Sequence, residues 1–374
     1  MHAVSGGRAA FGDVPVPSEA ELRKILIRRI DEERQSVGLV VGQLQPTGRR
    51  VISRGELERG DSRPLTGDTV FEIGSVTKVF TALLLMEMVG RGEVALSDPV
   101  AMYLPAGATV PQRKGRQITL RDLATHRSGL PRLPSNFLPA DPTNPYADYG
   151  VEQLYDFLSR YELPRDIDSQ AEYSNLGFGL LGHALERRAG LDYESLVRAR
   201  ILDRLGMSST GIALTQEMRT RFASGHNAKL ERVGNWDLPA LAGAGALRST
   251  ANDLLTFLGA QLDEAPSPIR DAMAAMLRVP QLMGRERVIG WQVVTLDGTL
   301  RRDSQRIVWM NGGTGGYLSF CGFEPIARTG VVVLANSFST SAMQPIIDLG
   351  LHLLDARFPL NRASHEWKGE LGPA

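Results

Sequence analysis

The sequence predicts an α/β fold in which one sheet is assembled from both ends of the chain, with a mainly helical lobe inserted between them. Strand-like segments cluster near residues 38–54 and again near residues 288–336. The segments between these two clusters are mostly helical in pattern. Hydrophobic residues make up 43% of the 374 residues, which is ample for a buried core and argues against disorder. Such an arrangement places an active site in the crevice between the lobes.

The individual elements follow from caps, periodicity and turn residues. Ser18 is placed to cap a helix that runs to about Gln35, and Pro46-Thr47-Gly48 is a turn between two strands, 38–44 and 51–54. Helical patterns of the middle region are found at residues 76–89, 119–125, 151–161, 175–189 and 193–205. Strand patterns return at 288–296, 307–310, 317–323 and 330–336, and a last helix is predicted at 344–356. We expect one domain over residues 1–374, with an α/β lobe at about 20–98 and 242–356 and a helical lobe at about 99–241.

Composition excludes several classes of function. Lys plus Arg (42) balance Asp plus Glu (42), so no overall field attracts nucleic acid or an acidic membrane. The single cysteine, Cys321, and six scattered histidines offer no metal-ligand spacing, so we expect neither metal nor cofactor. No apolar run reaches the length of about 20 residues that a membrane helix needs. As it stands, the sequence predicts a cytoplasmic protein, or a periplasmic or secreted one whose signal was removed; it leaves the oligomeric state open.

The most informative segment contains Ser75 and Lys78, at the start of an apolar helical pattern. A serine in the first turn of a helix lies near unpaired backbone N–H groups, and a lysine three residues on lies along the same face. The pair supplies a nucleophile and an amine that can take its proton, provided that burial lowers the pKa of the lysine. Taken alone, Ser-x-x-Lys is also consistent with a helix cap and a solvated lysine.

A second candidate element places Tyr173 and Asn175 two residues apart, just before an apolar helix. In an extended turn this spacing projects both side chains in one direction. Tyr173 is then a candidate proton shuttle, and Asn175 is a candidate to orient Lys78 or a substrate carbonyl. An aromatic core residue followed by a helix cap is the alternative interpretation.

A third candidate element is Met310-Asn311-Gly312-Gly313-Thr314, within a glycine cluster between two strand signals. Glycines there allow a substrate backbone to approach the strand edge, and bare N–H groups can bind an oxyanion. A plain glycine-rich hairpin turn is the alternative.

Together, in this order and spacing, the three elements resemble the penicillin-recognising serine hydrolases: class C β-lactamases, serine DD-peptidases and β-lactamase-like carboxylesterases. Residues 123–131, Leu-Ala-Thr-His-Arg-Ser-Gly-Leu-Pro, look like the Thr-His-x-Ser-Gly-Leu stretch of this family. Residues 242–254 are similar to its Gly-x-x-Ser-Thr-x-x-Asp-Leu helix start. The resemblance extends over about residues 20–356 and implies a β-lactamase/transpeptidase-like fold with an antiparallel sheet flanked by helices.

The resemblance implies a role for each matching residue. Ser75 is expected to be the acylated nucleophile, Lys78 its activating partner and Tyr173 a second proton shuttle. The groups expected to position the substrate are Asn175, Met310, Asn311 and Gly312. The backbone N–H groups of Ser75 and Gly313 are expected to form the oxyanion hole. No metal takes part in this set.

One position departs from the family pattern, because Met310 stands where the third motif has a cationic residue, and Asn311 replaces threonine. Methionine cannot pair with an anion and offers a polarizable apolar surface. We therefore expect a serine acyl-hydrolase of the carboxylesterase type acting on esters or amides. The alternatives are a class C-type β-lactamase or DD-peptidase, whose substrate is a β-lactam or peptide, and a ligand-binding relative without turnover. His126 and His183 are interpreted as structural residues in helical segments, and Cys321 as a buried strand residue.

Overall fold

The computed structural model describes residues 16–263, 268–278, 287–295 and 306–360. Its centre is a seven-stranded antiparallel sheet with the strand order β2-β1-β11-β10-β9-β8-β7. The strands of this sheet are β1 (Gly38–Gln45), β2 (Gly48–Gly55), β7 (Arg287–Val288), β8 (Trp291–Thr295), β9 (Arg306–Thr314), β10 (Tyr317–Glu324) and β11 (Thr329–Ala335). Two pairs of short strands lie outside this sheet: β3 (Val70–Glu72) pairs with β6 (Arg248–Thr250), and β4 (Gln112–Arg113) pairs with β5 (Arg116–Gln117).

The two ends of the chain meet in the middle of this sheet. Strand β1 pairs with β11 over six residues, from Leu39 opposite Ala335 to Leu44 opposite Gly330. Strand β2 is joined to β1 by a tight turn, and β9, β10 and β11 follow one another as a meander. The prediction of an antiparallel sheet assembled from both chain ends is therefore confirmed.

Most helices lie between the two groups of strands, as predicted. The described α-helices are α1 (Glu19–Ile27) before the first strand, α12 (Thr340–Leu354) after the last strand, and between them α2 (Thr77–Gly90), α3 (Leu120–Ala124), α4 (Val151–Arg160), α5 (Asn175–Ala189), α6 (Tyr193–Val197), α7 (Asp203–Leu205), α8 (Gln216–Thr220), α9 (Ala242–Gly245), α10 (Ala251–Leu262) and α11 (Pro268–Arg278). Ser18 caps α1 through a complete capping box with Glu21. Among these described helices, none has both the length and the apolar character that crossing a bilayer requires.

The sheet is buried on both faces, and its strand residues alternate between two hydrophobic cores. On β11, Val331 and Val333 pack with α1 and α12, whereas Val332 and Leu334 belong to the larger core on the other face. Helix α2 lies in that larger core and is apolar around nearly its whole circumference, as expected for a helix surrounded by protein. The helix that follows Ser75 is therefore held by packing along its length.

The structure differs from the predicted elements at several points. The strand predicted at 288–296 is broken into β7 and β8 by Gly290, which has a φ of +77°, and residue 296 lies outside the described residues. Strand β9 runs through the glycine cluster to Thr314 instead of ending at Met310. Helix α12 begins four residues before the predicted start because Ser339 caps it. The division into lobes at about residues 99 and 241 stays a prediction.

Candidate active site

Ser75 lies in a tight turn between the short strand β3 and helix α2. Strand β3 is fixed by its pairing with β6, and the chain then turns through one 3₁₀ turn, Gly74–Val76, into the helix. Gly74 has a φ of +47°, in the left-handed region, and a Cβ there would lie 2.7 Å from the backbone nitrogen of Gly313. Only glycine tolerates both conditions, so Gly74 brings the Ser75 turn against strand β9.

Lys78 is the second residue of α2, one helical turn after Ser75, and is 1% exposed. Its Nζ lies 2.9 Å from Ser75 Oγ, 2.9 Å from Asn175 Oδ1 and 2.6 Å from the carbonyl oxygen of Ala244. Burial holds the pKa of Lys78 well below its ordinary value, and the positive charge of Arg132 lowers it further. The amine is consequently disposed to be neutral, the form that can accept a proton.

Tyr173 and Asn175 reach the same point from the start of α5. The phenol of Tyr173 donates a hydrogen bond of 2.7 Å to Ser75 Oγ. Asn175 is the first residue of α5, and Ser174, the preceding residue, is the cap: its Oγ accepts from the N–H of Gly177 at 2.8 Å. The structure therefore brings Ser75, Lys78, Tyr173 and Asn175 together, as the sequence predicts.

Strand β9 forms the opposite side of the site. Its pairing with β8 ends at Trp309, and from there β9 lies against the Ser75 turn. A Cβ on Gly312 would lie 2.1 Å from the carbonyl oxygen of Ile73 and 2.8 Å from the nitrogen of Ser75. The absence of a side chain at Gly312 is thus what allows the strand and the turn to touch. The backbone nitrogens of Ser75 and Gly313, predicted as the oxyanion hole, lie at this contact.

A cavity adjoins Lys78 and Tyr173 on the side of Met310. Its surface is mainly apolar, and its empty volume, which includes open solvent, is about 370 Å³. The residues around it come from α2, from the segments around α3 and α5, from β7 and β8 with the turn between them, and from β9: Lys78, Ala124, Thr125, His126, Tyr173, Phe178, Val288, Gly290, Trp291, Gln292 and Met310. Met310, which is 4% exposed, occupies the place where a cation of the third motif is expected. The wall that it forms is apolar.

The other predicted positioning residue of this motif, Asn311, points elsewhere. Its Nδ2 donates to the sulfur of Met343 on α12 at 3.1 Å, and its Oδ1 accepts from Gln292 at 3.4 Å. Its described side-chain contacts are therefore with α12 and β8 instead of Ser75. This follows from strand alternation, because Met310 and Asn311 face opposite sides of β9.

Sequence reasoning missed three groups at the site. The carbonyl of Ala244 accepts from Lys78, Tyr146 OH accepts from Asn175 Nδ2 at 3.3 Å, and the guanidinium carbon of Arg132 lies 5.4 Å from the centre of the Tyr173 ring. A backbone carbonyl leaves no residue-type signal. Arg132 and Tyr146 stand at the two ends of a proline-rich loop, where neither periodicity nor spacing predicts which side chains point inward.

His126 also differs from its prediction in one respect. It follows α3 in a turn with a φ of +59°, instead of lying in a helical segment. Its Nδ1 accepts from the N–H of Ser174 at 3.0 Å, and its ring packs against Tyr173 with the centres 4.6 Å apart. These contacts support the predicted structural role, since they hold the segment that carries Tyr173. His183 lies in α5 as predicted, and Cys321 is buried in β10.

Comparisons with known proteins identify the family of this chain. The beta-lactamase family model matches residues 25–353, and the chain belongs to that family, which is part of the penicillin-recognising serine hydrolase superfamily. The chain is 26% identical over 335 residues to a beta-lactamase of Pseudomonas fluorescens, covering 82% of this chain and 90% of that one. It is 29% identical over 319 residues to the D-alanyl-D-alanine-carboxypeptidase/endopeptidase AmpH of Escherichia coli, covering 80% of each.

Solved structures share the fold. A class C beta-lactamase from Rhodobacter sphaeroides superposes with a TM-score of 0.71 at 27% identity, over 85% of this chain and 95% of that one. A beta-lactamase/D-alanine carboxypeptidase from Yersinia pestis, complexed with citrate, gives 0.72 at 25% identity, over 87% and 95%. The predicted β-lactamase-like fold is thus confirmed. In the described ranges, no group of three or more His, Cys, Asp or Glu side chains is arranged to hold a metal ion.

Proposed function

We propose that this protein is a serine acyl-hydrolase that forms a covalent acyl-enzyme at Ser75 on carboxylic esters or amides. The observation that carries the proposal is the hydrogen-bonded set around Ser75 Oγ, in which Lys78 Nζ lies at 2.9 Å and Tyr173 OH at 2.7 Å. Both distances are within reach for direct proton transfer. A ligand-binding relative without turnover has no need of a buried lysine whose pKa burial holds well below its ordinary value.

The chemistry that follows from these groups is two-step acyl transfer. Lys78 Nζ takes the hydroxyl proton of Ser75 as Oγ attacks the substrate carbonyl carbon. The negative charge on the carbonyl oxygen is stabilised by the N–H groups of Ser75 and Gly313. The proton then passes to the leaving group through Tyr173, the scissile bond breaks, and the acyl group stays on Oγ. Water attacks the acyl-enzyme with its proton taken by the same groups, which releases the acid and restores Ser75.

The cavity beside Met310 is apolar. It supports a preference for substrates whose part in contact with this cavity is uncharged. In a β-lactamase or DD-peptidase the third motif offers a cation to the substrate carboxylate, whereas Met310 offers a polarizable apolar surface. Burying an unpaired carboxylate against such a wall is costly, and burying an alkyl or aryl group there is favourable. The relatives named beta-lactamase and carboxypeptidase favour the alternative, hydrolysis of β-lactams or D-Ala-D-Ala peptides by the same centre.

Two measurements test the proposal. A fluorophosphonate probe should label the wild-type protein and should fail to label Ser75→Ala. Values of kcat/KM for p-nitrophenyl butyrate, a chromogenic cephalosporin and a D-Ala-D-Ala peptide should then be highest for the ester. If the wild-type protein hydrolyses none of the three substrates and the fluorophosphonate does not label it, the enzyme proposal is refuted. A higher value for the cephalosporin or the peptide would keep the mechanism and replace the ester preference with the alternative.

A further inference from the structure

Arg132 is a half-buried cation at the catalytic centre for which the described residues supply no carboxylate. Its Nε is buried and has no hydrogen-bond partner among them. The nearby Arg127 differs, because its guanidinium pairs with Asp168 and its Nη2 donates to the carbonyl of the same residue. A guanidinium withdrawn from water without an anion is unfavourable, so such a group is normally retained for a ligand.

The position of Arg132 is fixed by the backbone that also carries the catalytic groups. Its carbonyl accepts from the N–H of Asn175 at 3.0 Å and from the N–H of Leu176 at 3.1 Å. Its guanidinium carbon lies 5.4 Å from the centre of the Tyr173 ring. Because Tyr173 OH in turn donates to Ser75 Oγ, the cation stands one aromatic ring away from the nucleophile.

Arg132 and Met310 lie in different parts of the site. Met310 forms a wall of the apolar cavity, and Arg132 is not one of the side chains around that cavity. Arg132 instead acts electrostatically on Lys78 and on Tyr146, the phenol that accepts from Asn175. The site therefore has an apolar side at Met310 and a cationic side at Arg132, so it can accept a substrate that is uncharged in one part and anionic in another.

We propose that Arg132 binds a carboxylate of the substrate, and that the natural substrates are esters or amides with an apolar part at Met310 and an anionic group at Arg132. A guanidinium presents paired N–H donors that match the two oxygens of a carboxylate, which a lysine ammonium does not. This inference rests on the proposed acyl-hydrolase function and specifies its substrate class.

Pairs of esters that differ in one charge test the proposal in the full-length protein. The first pair places the carboxylate on the acyl group: p-nitrophenyl hydrogen glutarate against p-nitrophenyl pentanoate. The second places it on the leaving group: 4-carboxyphenyl butyrate against 4-acetylphenyl butyrate. In Arg132→Gln, kcat/KM for at least one anionic ester should fall about tenfold or more through KM, as expected for loss of a charged hydrogen bond. Loss of the Arg132 charge near Lys78 affects both esters of a pair alike, so the effect is measured as the ratio of kcat/KM for the anionic ester to that for its neutral partner, and Arg132→Lys should restore part of that ratio.

A matched control removes an arginine elsewhere in the same lobe. Arg160 has a side chain that is 78% exposed and pairs with Asp156 in its own helix, so Arg160→Gln should leave both ratios unchanged. An equal loss of kcat/KM for the anionic and the neutral esters would overturn the proposal, because Arg132 would then affect the Ser75 centre without binding the carboxylate of the substrate. Unchanged ratios in both pairs would overturn it as well.

A binding measurement separates this inference from the proposed function. Calorimetric titration of monomethyl glutarate into Ser75→Ala measures carboxylate binding without turnover, and the same titration into Ser75→Ala/Arg132→Gln should give at least a tenfold weaker Kd. If the double variant binds monomethyl glutarate more weakly than Ser75→Ala does, and the wild-type protein hydrolyses no ester, the anion site is supported and the acyl-hydrolase is refuted. If the two variants bind it equally and the wild-type protein does hydrolyse esters, the anion site alone is refuted.

Discussion

Gly312→Ala tests whether the contact between strand β9 and the Ser75 turn creates the oxyanion hole. The added Cβ would lie 2.1 Å from the carbonyl oxygen of Ile73 and 2.8 Å from the nitrogen of Ser75, whereas ordinary contacts begin at 3.4 Å. The strand and the turn must therefore separate by roughly 1 Å, and a displacement of that size at a catalytic group costs on the order of 10²-fold in rate. Loss of one oxyanion donor costs about 10²- to 10³-fold. We expect kcat for p-nitrophenyl butyrate to fall by about 10²-fold or more.

Gly313→Ala is the matched control for this substitution. A Cβ at Gly313 would lie 3.0 Å from the ends of two side chains, Met343 Cε and Phe338 Cε2, which can move by a few tenths of an ångström. The backbone N–H is kept in both variants. We expect Gly313→Ala to retain kcat within about fivefold, in line with a small and relaxed contact change. Thermal melting shows whether each variant is folded. A folded Gly312→Ala protein with the activity of Gly313→Ala would refute the reasoning, because the N–H geometry would then not depend on the close approach of β9.

Three further substitutions test the proton-transfer groups and the cavity. Asn175→Asp places a carboxylate about 2.9 Å from Lys78 Nζ, which favours the ammonium and raises the pKa of Lys78. Since the base must be neutral, the acidic limb of the kcat/KM profile should move to higher pH; an unmoved limb would contradict Lys78 as the base. Tyr173→Phe should lower kcat by about 10²- to 10⁴-fold in steady-state assays, and full activity would exclude it as a proton shuttle. Met310→Lys should raise kcat/KM for a cephalosporin relative to p-nitrophenyl butyrate, and an unchanged ratio would remove the reason for preferring esters.

The strand segments and the separate catalytic motifs were predictable because each follows a local pattern, whereas the meeting of Ser75 with Tyr173 was implied by the resemblance to a known family. Alternation and turn residues locate the strands on either side of Pro46, and an uninterrupted apolar pattern locates the helix after Ser75. Each element of the cluster is a short motif next to a helix or strand boundary, as with Ser75 and Lys78. Residues that are close in sequence and share one backbone conformation keep their geometry whatever the rest of the chain does.

The parts that were missed depend on contacts between distant segments. Strand β9 continues through Gly312 because the Ser75 turn packs there, 237 positions away in sequence, and local glycine content instead predicts a turn. His126 takes a positive φ because its Nδ1 accepts from Ser174, a partner that no spacing rule predicts. Arg132 lies in a loop without periodicity, so its approach to Tyr173 follows only from the folded path of that loop.

The neighbours of Lys78 explain why a buried lysine is compatible with its role as a base. The carbonyl of Ala244 can only accept a hydrogen bond, and Asn175 also accepts through Oδ1 because its Nδ2 donates to Tyr146. A neutral amine has two N–H donors, and these two oxygens take both, so the lone pair is left for the hydroxyl proton of Ser75. The three described polar atoms that Nζ contacts are uncharged, and the cation Arg132 lowers the pKa of Lys78 further. Burial and the charge of Arg132 therefore favour the neutral amine, the protonation state that proton abstraction from Ser75 requires.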